Sequence, residues 1–282
     1  MPPPELMIDA LLYVIVPALV LAAIVMAAVT LVAGAQNAPA AAALGLAAGA
    51  GLALWLRDAL TLMPGDSSWN RLPWAALGMF CVGRVARLPE LPALDGLLLR
   101  AAAALGAAWW LIPEDARAEL VWLAPAFAAV VWAEWMLLDQ LAAEPPGGVV
   151  PFLLALTFFT ASIVLIYAQT ARLSETALVF SSALAGIALI AAWWRIDTGG
   201  VIAPAVLMLS ALMLVGQRET FNDALWWPAF ALTAAAPLML APTLVLQRFG
   251  GFGVRLLQLV LVLIPLSIAF WLALQTGPLQ FE

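Results

Sequence analysis

Ala118-Glu-Leu-Val-Trp-Leu-Ala-Pro-Ala-Phe-Ala-Ala-Val-Val-Trp-Ala-Glu-Trp-Met-Leu-Leu-Asp-Gln-Leu141 is the stretch on which the fold class turns. At 1.5 Å per residue, about 20 apolar residues cover the ~30 Å hydrocarbon core of a bilayer, so this run is long enough to cross one. Inside it, between Trp132 and Trp135, stands Glu134. A carboxylate at that depth is expensive unless it is protonated, paired or facing water, which makes Glu134 the first candidate for function.

The rest of the chain has the same character. Of 282 residues 66% are hydrophobic and 10% charged, and the mean hydropathy is +1.06, against roughly half apolar and a quarter charged in a soluble domain. The net charge of -6 is carried by residues in short breaks between apolar runs. No basic patch of a size that holds nucleic acid or anionic lipid is present.

Absent residue types exclude whole chemistries. With no His there is no imidazole-ligated haem or metal and no His-based triad. With no Lys there is no Schiff base and no Lys-type phosphate loop. The single Cys81 supports neither an internal disulfide nor a thiolate cluster. The expectation is a protein without cofactor or metal, and not an enzyme. Arg supplies all 11 positive charges, as a compositionally biased genome would produce.

Taken in order, the chain reads as an all-α polytopic transmembrane bundle of about 9–10 hydrophobic segments in one integral-membrane domain. Spans are expected near 8–32, 39–63, 72–87, 97–112, 118–141, 149–169, 177–194, 200–215, 224–246 and 254–274. The first run ends in Ala33-Gly34-Ala35, which imitates a signal cleavage site, but its leader is acidic and the run too long, so a retained span is expected. Gly45-x-x-x-Gly49 offers a small face for close helix approach. Arg57 and Asp58 near the second span's end are expected to snorkel or pair there. The segment 72–87 is the ambiguous one, because its uninterrupted apolar part stops at Gly83 and Arg84, short of a full crossing. Pro89 and Pro92, Pro113-Glu-Asp115, Glu144-Pro-Pro-Gly-Gly148, Arg172-Leu-Ser-Glu175, Asp197-Thr-Gly-Gly200 and Arg218-Glu219 read as breaks. Trp109-Trp110, Trp193-Trp194 and Trp226-Trp227 fall at segment ends, where amphipathic rings settle at the headgroup level.

Arginine counts bear on orientation. If all ten runs cross, five Arg lie on one side and six on the other, and nothing is decided. If 72–87 stays at one face, the division is eight to three, and the positive-inside rule then favours nine crossings with a cytoplasmic N-terminus.

Repeated fragments such as Ala-Ala-Trp-Trp at 107–110 and 191–194 have no common offset and do not mark a duplication. Chain length and pass count are similar to those of the drug/metabolite exporter superfamily, but no motif accompanies the size and no family is assigned. Asp95-Gly-Leu-Leu-Leu-Arg100 resembles part of the carboxylate motif of CDP-alcohol phosphotransferases; position 92 is Pro where that motif needs Asp, so the resemblance does not extend to a metal site. Thr157, Thr160, Ser162, Tyr167 and Gln169 in one span and Ser181 and Ser182 in the next form a polar seam between helices or line a cavity, and hydrogen-bonding glue between helices is the preferred reading.

Two readings of function follow. The first is a small carrier in which Glu134, facing Arg84 or Arg100, gains and loses a proton. The second is a non-catalytic structural or interaction subunit of a membrane complex, with Glu134 hydrogen-bonded across a helix interface. Both place the protein in a bacterial cytoplasmic (inner) membrane, with the lipid bilayer and possible membrane subunits as partners and no nucleic acid.

Overall fold

The computed structural model describes residues 9, 11–57, 68–87, 91–112, 117–142, 147–222, 225, 227–246 and 251–276, with backbone alone at 68–69 and 117–120. Asp58, Pro89, Pro113–Asp115, Glu144–Pro146, Trp226 and Arg248 lie outside the described residues. There is no strand among those described. Ten helices follow one another: α1 (Leu11–Ala33), α2 (Ala38–Leu56), α3 (Ser68–Val85), α4 (Ala93–Leu111), α5 (Arg117–Ala142), α6 (Val149–Tyr167), α7 (Ala171–Trp194), α8 (Ile202–Arg218), α9 (Trp227–Leu246) and α10 (Phe252–Leu274). Among the described residues, nine are long and apolar enough to cross a membrane, and the protein is a multi-pass integral membrane protein.

The helix outside those nine is α3, the ambiguous segment. Its polar first turn, Ser68-Trp-Asn-Arg71, lowers its hydropathy, yet its 18 residues reach about 27 Å. Near its start Arg71 donates to the Trp110 carbonyl at the far end of α4, whereas just past its end the Ala86 carbonyl accepts from Arg100 near the beginning of α4. The two helices therefore run antiparallel. The count of nine membrane-capable helices among the described residues agrees with the expectation of nine crossings, with α3 the helix outside them.

Other boundaries move for local reasons. α7 starts at Ala171, so Arg172-Leu-Ser-Glu175 is a helical turn and not a break; Glu175 reaches across to pair with Arg57 beyond the end of α2. The break shrinks to Ala168–Thr170, made possible by Gln169 in the left-handed region (φ 60°) and capped by Phe221 N donating to Ala168 O and Asn222 Nδ2 to Tyr167 O. α9 is discontinuous, with α-helix at Trp227–Ala235, a 3-10 stretch at Ala236–Leu240 and a last turn at Thr243–Leu246. Pro237 and Pro242 supply the interruption.

α8 forms the centre. It is apolar on all sides, almost wholly buried, and packed by α3, α5, α6 and α9. α1 and α2 form a tight hairpin docked on α7: a Cβ at Gly49 would lie 2.5 Å from the Ala18 carbonyl and one at Gly45 2.7 Å from that of Ala22, while Gly186 of α7 meets the Leu19 carbonyl. Between α6 and α7, Ser162 and Ser174 bond one another and Ser181 donates to Ala155 O, as expected of glue; Thr157, Thr160 and Ser182 instead bond carbonyls of their own helices. The α1–α2 hairpin touches α3 only slightly, which leaves a cleft between α2 and α3. Trp109, Trp193 and Trp227 at helix ends are exposed on the surface of the bundle.

Nine crossings would put the two chain ends on opposite faces of the membrane, so reporter fusions at the two termini should give opposite signals, and matching signals would show that α3 crosses as well. Gly49→Leu should force α1 and α2 apart at a cost of about 1–3 kcal/mol, the range for overpacking, read as a lower Tm in detergent. Gly106→Leu, at a position open on all sides, should leave the Tm nearly unchanged.

Candidate functional site

Charged side chains converge where α3, α4 and α5 and the α7–α8 connection meet. Asp139, on the last two turns of α5, is the hub. One of its oxygens accepts from Arg87 Nε (3.2 Å) and Nη2 (2.9 Å), and the other from Arg100 Nη2 (2.8 Å). Arg87 uses its remaining nitrogen on Asp197 (3.1 Å), and the other Asp197 oxygen accepts from the Gly199 amide (2.7 Å), fixing the α7–α8 turn. Arg100 also reaches the Ala86 carbonyl and lies 5.6 Å from the centre of the Trp135 ring, a cation–π contact. The Arg87, Arg100 and Asp139 side chains are 17%, 15% and 9% exposed, so the ions pair largely out of water, with Arg100 Nε left without an acceptor among the described residues.

Glycine makes the cluster possible. A Cβ on Gly199 would coincide with the Arg87 guanidinium, which is packed flat against the backbone there. Gly147 likewise admits the Ile196 carbonyl, and Thr198 donates to Gly147 O (2.6 Å), clamping the α5–α6 connection onto the α7–α8 turn.

Glu134 lies five residues before Asp139, about 7.5 Å along the axis, beside Trp135 whose ring supports Arg100. It is wholly buried, and neither carboxyl oxygen has a hydrogen-bond partner among the described residues. Of the three ways to tolerate a buried acid, pairing is not used here; an ion in this position would meet the full cost of desolvation. Two further polar atoms are stranded nearby in the fold. Trp132 Nε1 lacks an acceptor, and residues two apart on a helix do not face each other. Ser210 Oγ on α8 lacks a partner as well. Trp135 and Ala203 both adjoin Gly83, so Ser210 lies seven residues, about 10 Å, further along the antiparallel α5–α8 interface.

The residues singled out from the sequence therefore separate. Arg100 turns inward rather than snorkelling, and its acid is Asp139, not Glu134. Arg84 is exposed on α3, outside the cluster. Arg87, Asp139 and Asp197 are not among the site residues expected from the sequence; the signal that finds them is topological, since the ends of α3 and α5, the start of α4 and the α7–α8 turn lie at one end of the bundle. Compared with known proteins, the chain matches no family model, no curated protein and no solved structure.

Removing one partner from a largely buried ion cluster strands the others, at about 3–5 kcal/mol. Asp139→Asn should lower the Tm in detergent accordingly, and Gly199→Ala should do so too by expelling Arg87. Arg84→Gln should stay within ~0.5 kcal/mol of wild type.

Proposed function

We propose that the protein is a small carrier of a bacterial cytoplasmic membrane, in which Glu134 is the group that exchanges a proton and the Arg87–Asp139–Arg100–Asp197 cluster is the closure above it. The observation that carries this reading is the isolation of Glu134. A structural glutamate is retained for the hydrogen bonds it makes across a helix interface, and this one makes none among the described residues. Its desolvation is an uncompensated cost, of the kind proteins keep at functional positions.

Three features support the same reading. The closure is ionic and drawn from four chain segments, so it can part without unpacking a hydrophobic core. α9 is interrupted at Pro237 and Pro242, and discontinuous helices are a recurring part of carriers. The stranded Ser210 hydroxyl lies on α8, which packs against the helix that carries Glu134, and offers a polar station to a solute or water. In the closed form Glu134 is held as the neutral acid; parting of the cluster would admit water and allow the proton to leave.

Glu134→Gln and Glu134→Leu test this together. With no hydrogen bond to lose, both should fold, and Leu should leave stability unchanged or raise it by about 1–3 kcal/mol, the usual cost of a buried unsatisfied polar group, read as an equal or higher Tm. A strain lacking the gene should be complemented by wild type and by neither variant, and in Glu134→Gln any pH dependence of the phenotype should vanish. Infrared spectroscopy of the purified protein should show a protonated carboxyl band that Glu134→Gln removes. Complementation by Glu134→Gln at every pH, or a Tm collapse in Glu134→Leu, would sink the carrier reading in favour of a structural one.

A further inference from the structure

The cleft between α2 and α3 encloses about 210 Å³ and is walled by Ala47 and Gly51 on one side and Trp74 and Phe80 on the other, over a floor of Phe180 from α7 and Pro204 from α8. Its mouth is at mid-height. Ala47 and Leu77, each the tenth residue of its helix, line the cleft and are exposed on the outside of the bundle, the surface that hydrocarbon covers in a membrane. The volume is below the roughly 300–1,000 Å³ of pockets for drug-sized ligands, so the cleft suits something slender.

One wall carries an unspent donor. Trp74 Nε1 is buried and has no acceptor among the described residues. Its depth can be placed, because Arg71 is tied to the carbonyl of Trp110 in the aromatic belt, and Trp74 is three residues, about 4.5 Å, further in. That is where the ester carbonyls of a phospholipid lie, just under the headgroups. Along the same face of α3, one turn nearer the surface, Asn70 Oδ1 is also buried without a partner, and Pro73 withholds the helical donor from the Trp69 carbonyl. Polar groups thus stand unsatisfied at the headgroup end of a slot that is apolar from there to the mid-plane.

We propose that this cleft is a phospholipid site: one acyl chain lies between α2 and α3 against Phe80, Phe180 and Pro204, and its ester carbonyl accepts from Trp74 Nε1. The neighbouring hairpin explains why the slot exists. α1 and α2 are held by α7 through close glycine contacts and make little contact with α3, so nothing among the described residues fills the gap. An empty apolar cleft open to hydrocarbon would fill with lipid in any case; the donor makes the occupancy specific in depth and orientation. The site is separate from Glu134 and does not depend on the carrier reading.

The test uses the full chain reconstituted in vesicles of phosphatidylethanolamine and phosphatidylglycerol, with a trace of phospholipid bearing a photoactivatable diazirine midway along one chain, and adducts mapped by peptide mass spectrometry. Adducts should concentrate on the α2 segment around Ala47–Gly51 and the α3 segment around Leu77–Phe80, well above those on the outer face of α10 at Phe270 and Trp271. A Cβ at Gly51 meets nothing within 4 Å, so Gly51→Leu can occupy the slot without displacing backbone. It should cut cleft adducts by about tenfold and leave those on α10 unchanged; Ala47→Leu serves as a second filler if the first lowers the Tm. Trp74→Phe should keep the fold and lose co-purifying phospholipid in native mass spectrometry. Equal labelling of cleft and α10, labelling undiminished in both filled variants, or labelling by a photoactivatable free fatty acid but not by the phospholipid would overturn the proposal.

Discussion

Asp139 is held between two guanidinium groups, and the placement of four chain segments depends on it. Lipid tails are as apolar as leucine, so helices in a bilayer gain little from hiding hydrophobic surface against each other; close packing and polar contacts decide which helix lies beside which. Here the turn after α3 brings Arg87, α4 brings Arg100, and the α7–α8 turn brings Asp197 to a single acid on α5. Arg87, Arg100 and Asp139 are largely removed from water and so depend on one another, whereas Asp197 is 37% exposed. The Arg57–Glu175 pair at the opposite end joins α2 to α7 but is 36% and 38% exposed, where such pairs contribute ~0–1 kcal/mol. The two ends of the bundle are thus unequally fastened.

The small residues do the complementary part. At Gly45, Gly49 and Gly186 a backbone carbonyl occupies the space of a side chain, bringing α1 within contact of both α2 and α7. This fixes the hairpin against one half of the molecule and not the other. The gap beside α3 is the direct geometric result.

Most helices were legible because an apolar run near twenty residues has one stable form in a bilayer, a hydrogen-bonded helix that crosses it. The exception shows the limit of that logic. α3 is held in the bundle by its neighbours: Arg71 is bonded by the end of α4, Arg87 by Asp139 and Asp197, and α8 packs along it. Such compensation is tertiary and leaves no mark on local hydropathy. The same holds at Arg172–Glu175, where charges that read as a loop form a helical turn because Arg57 waits opposite. Pro237 and Pro242 announced the interruption of α9, and Gly45 and Gly49 the close approach of α1. The ion cluster was spelled out in four charged residues, but only the pairing of helix ends assembles them.

Glu134 and Asp139 share a helix and differ in everything else. A fold that surrounds one acid with two arginines and a supporting tryptophan has the means to place a donor beside the other, five residues away, and does not. Under the carrier reading the omission is what makes a switch. A permanent donor or cation at Glu134 would stabilise one protonation state in every conformation, and proton binding would then be indifferent to whether the cluster is open or closed. With no partner, the carboxyl's charge state depends on access to water, and access depends on the cluster. A proton can bias a conformational equilibrium only by the difference in its affinity for the two states. An isolated acid beneath an ionic closure makes that difference large, because the same event that wets Glu134 is the one that separates Asp139 from its arginines.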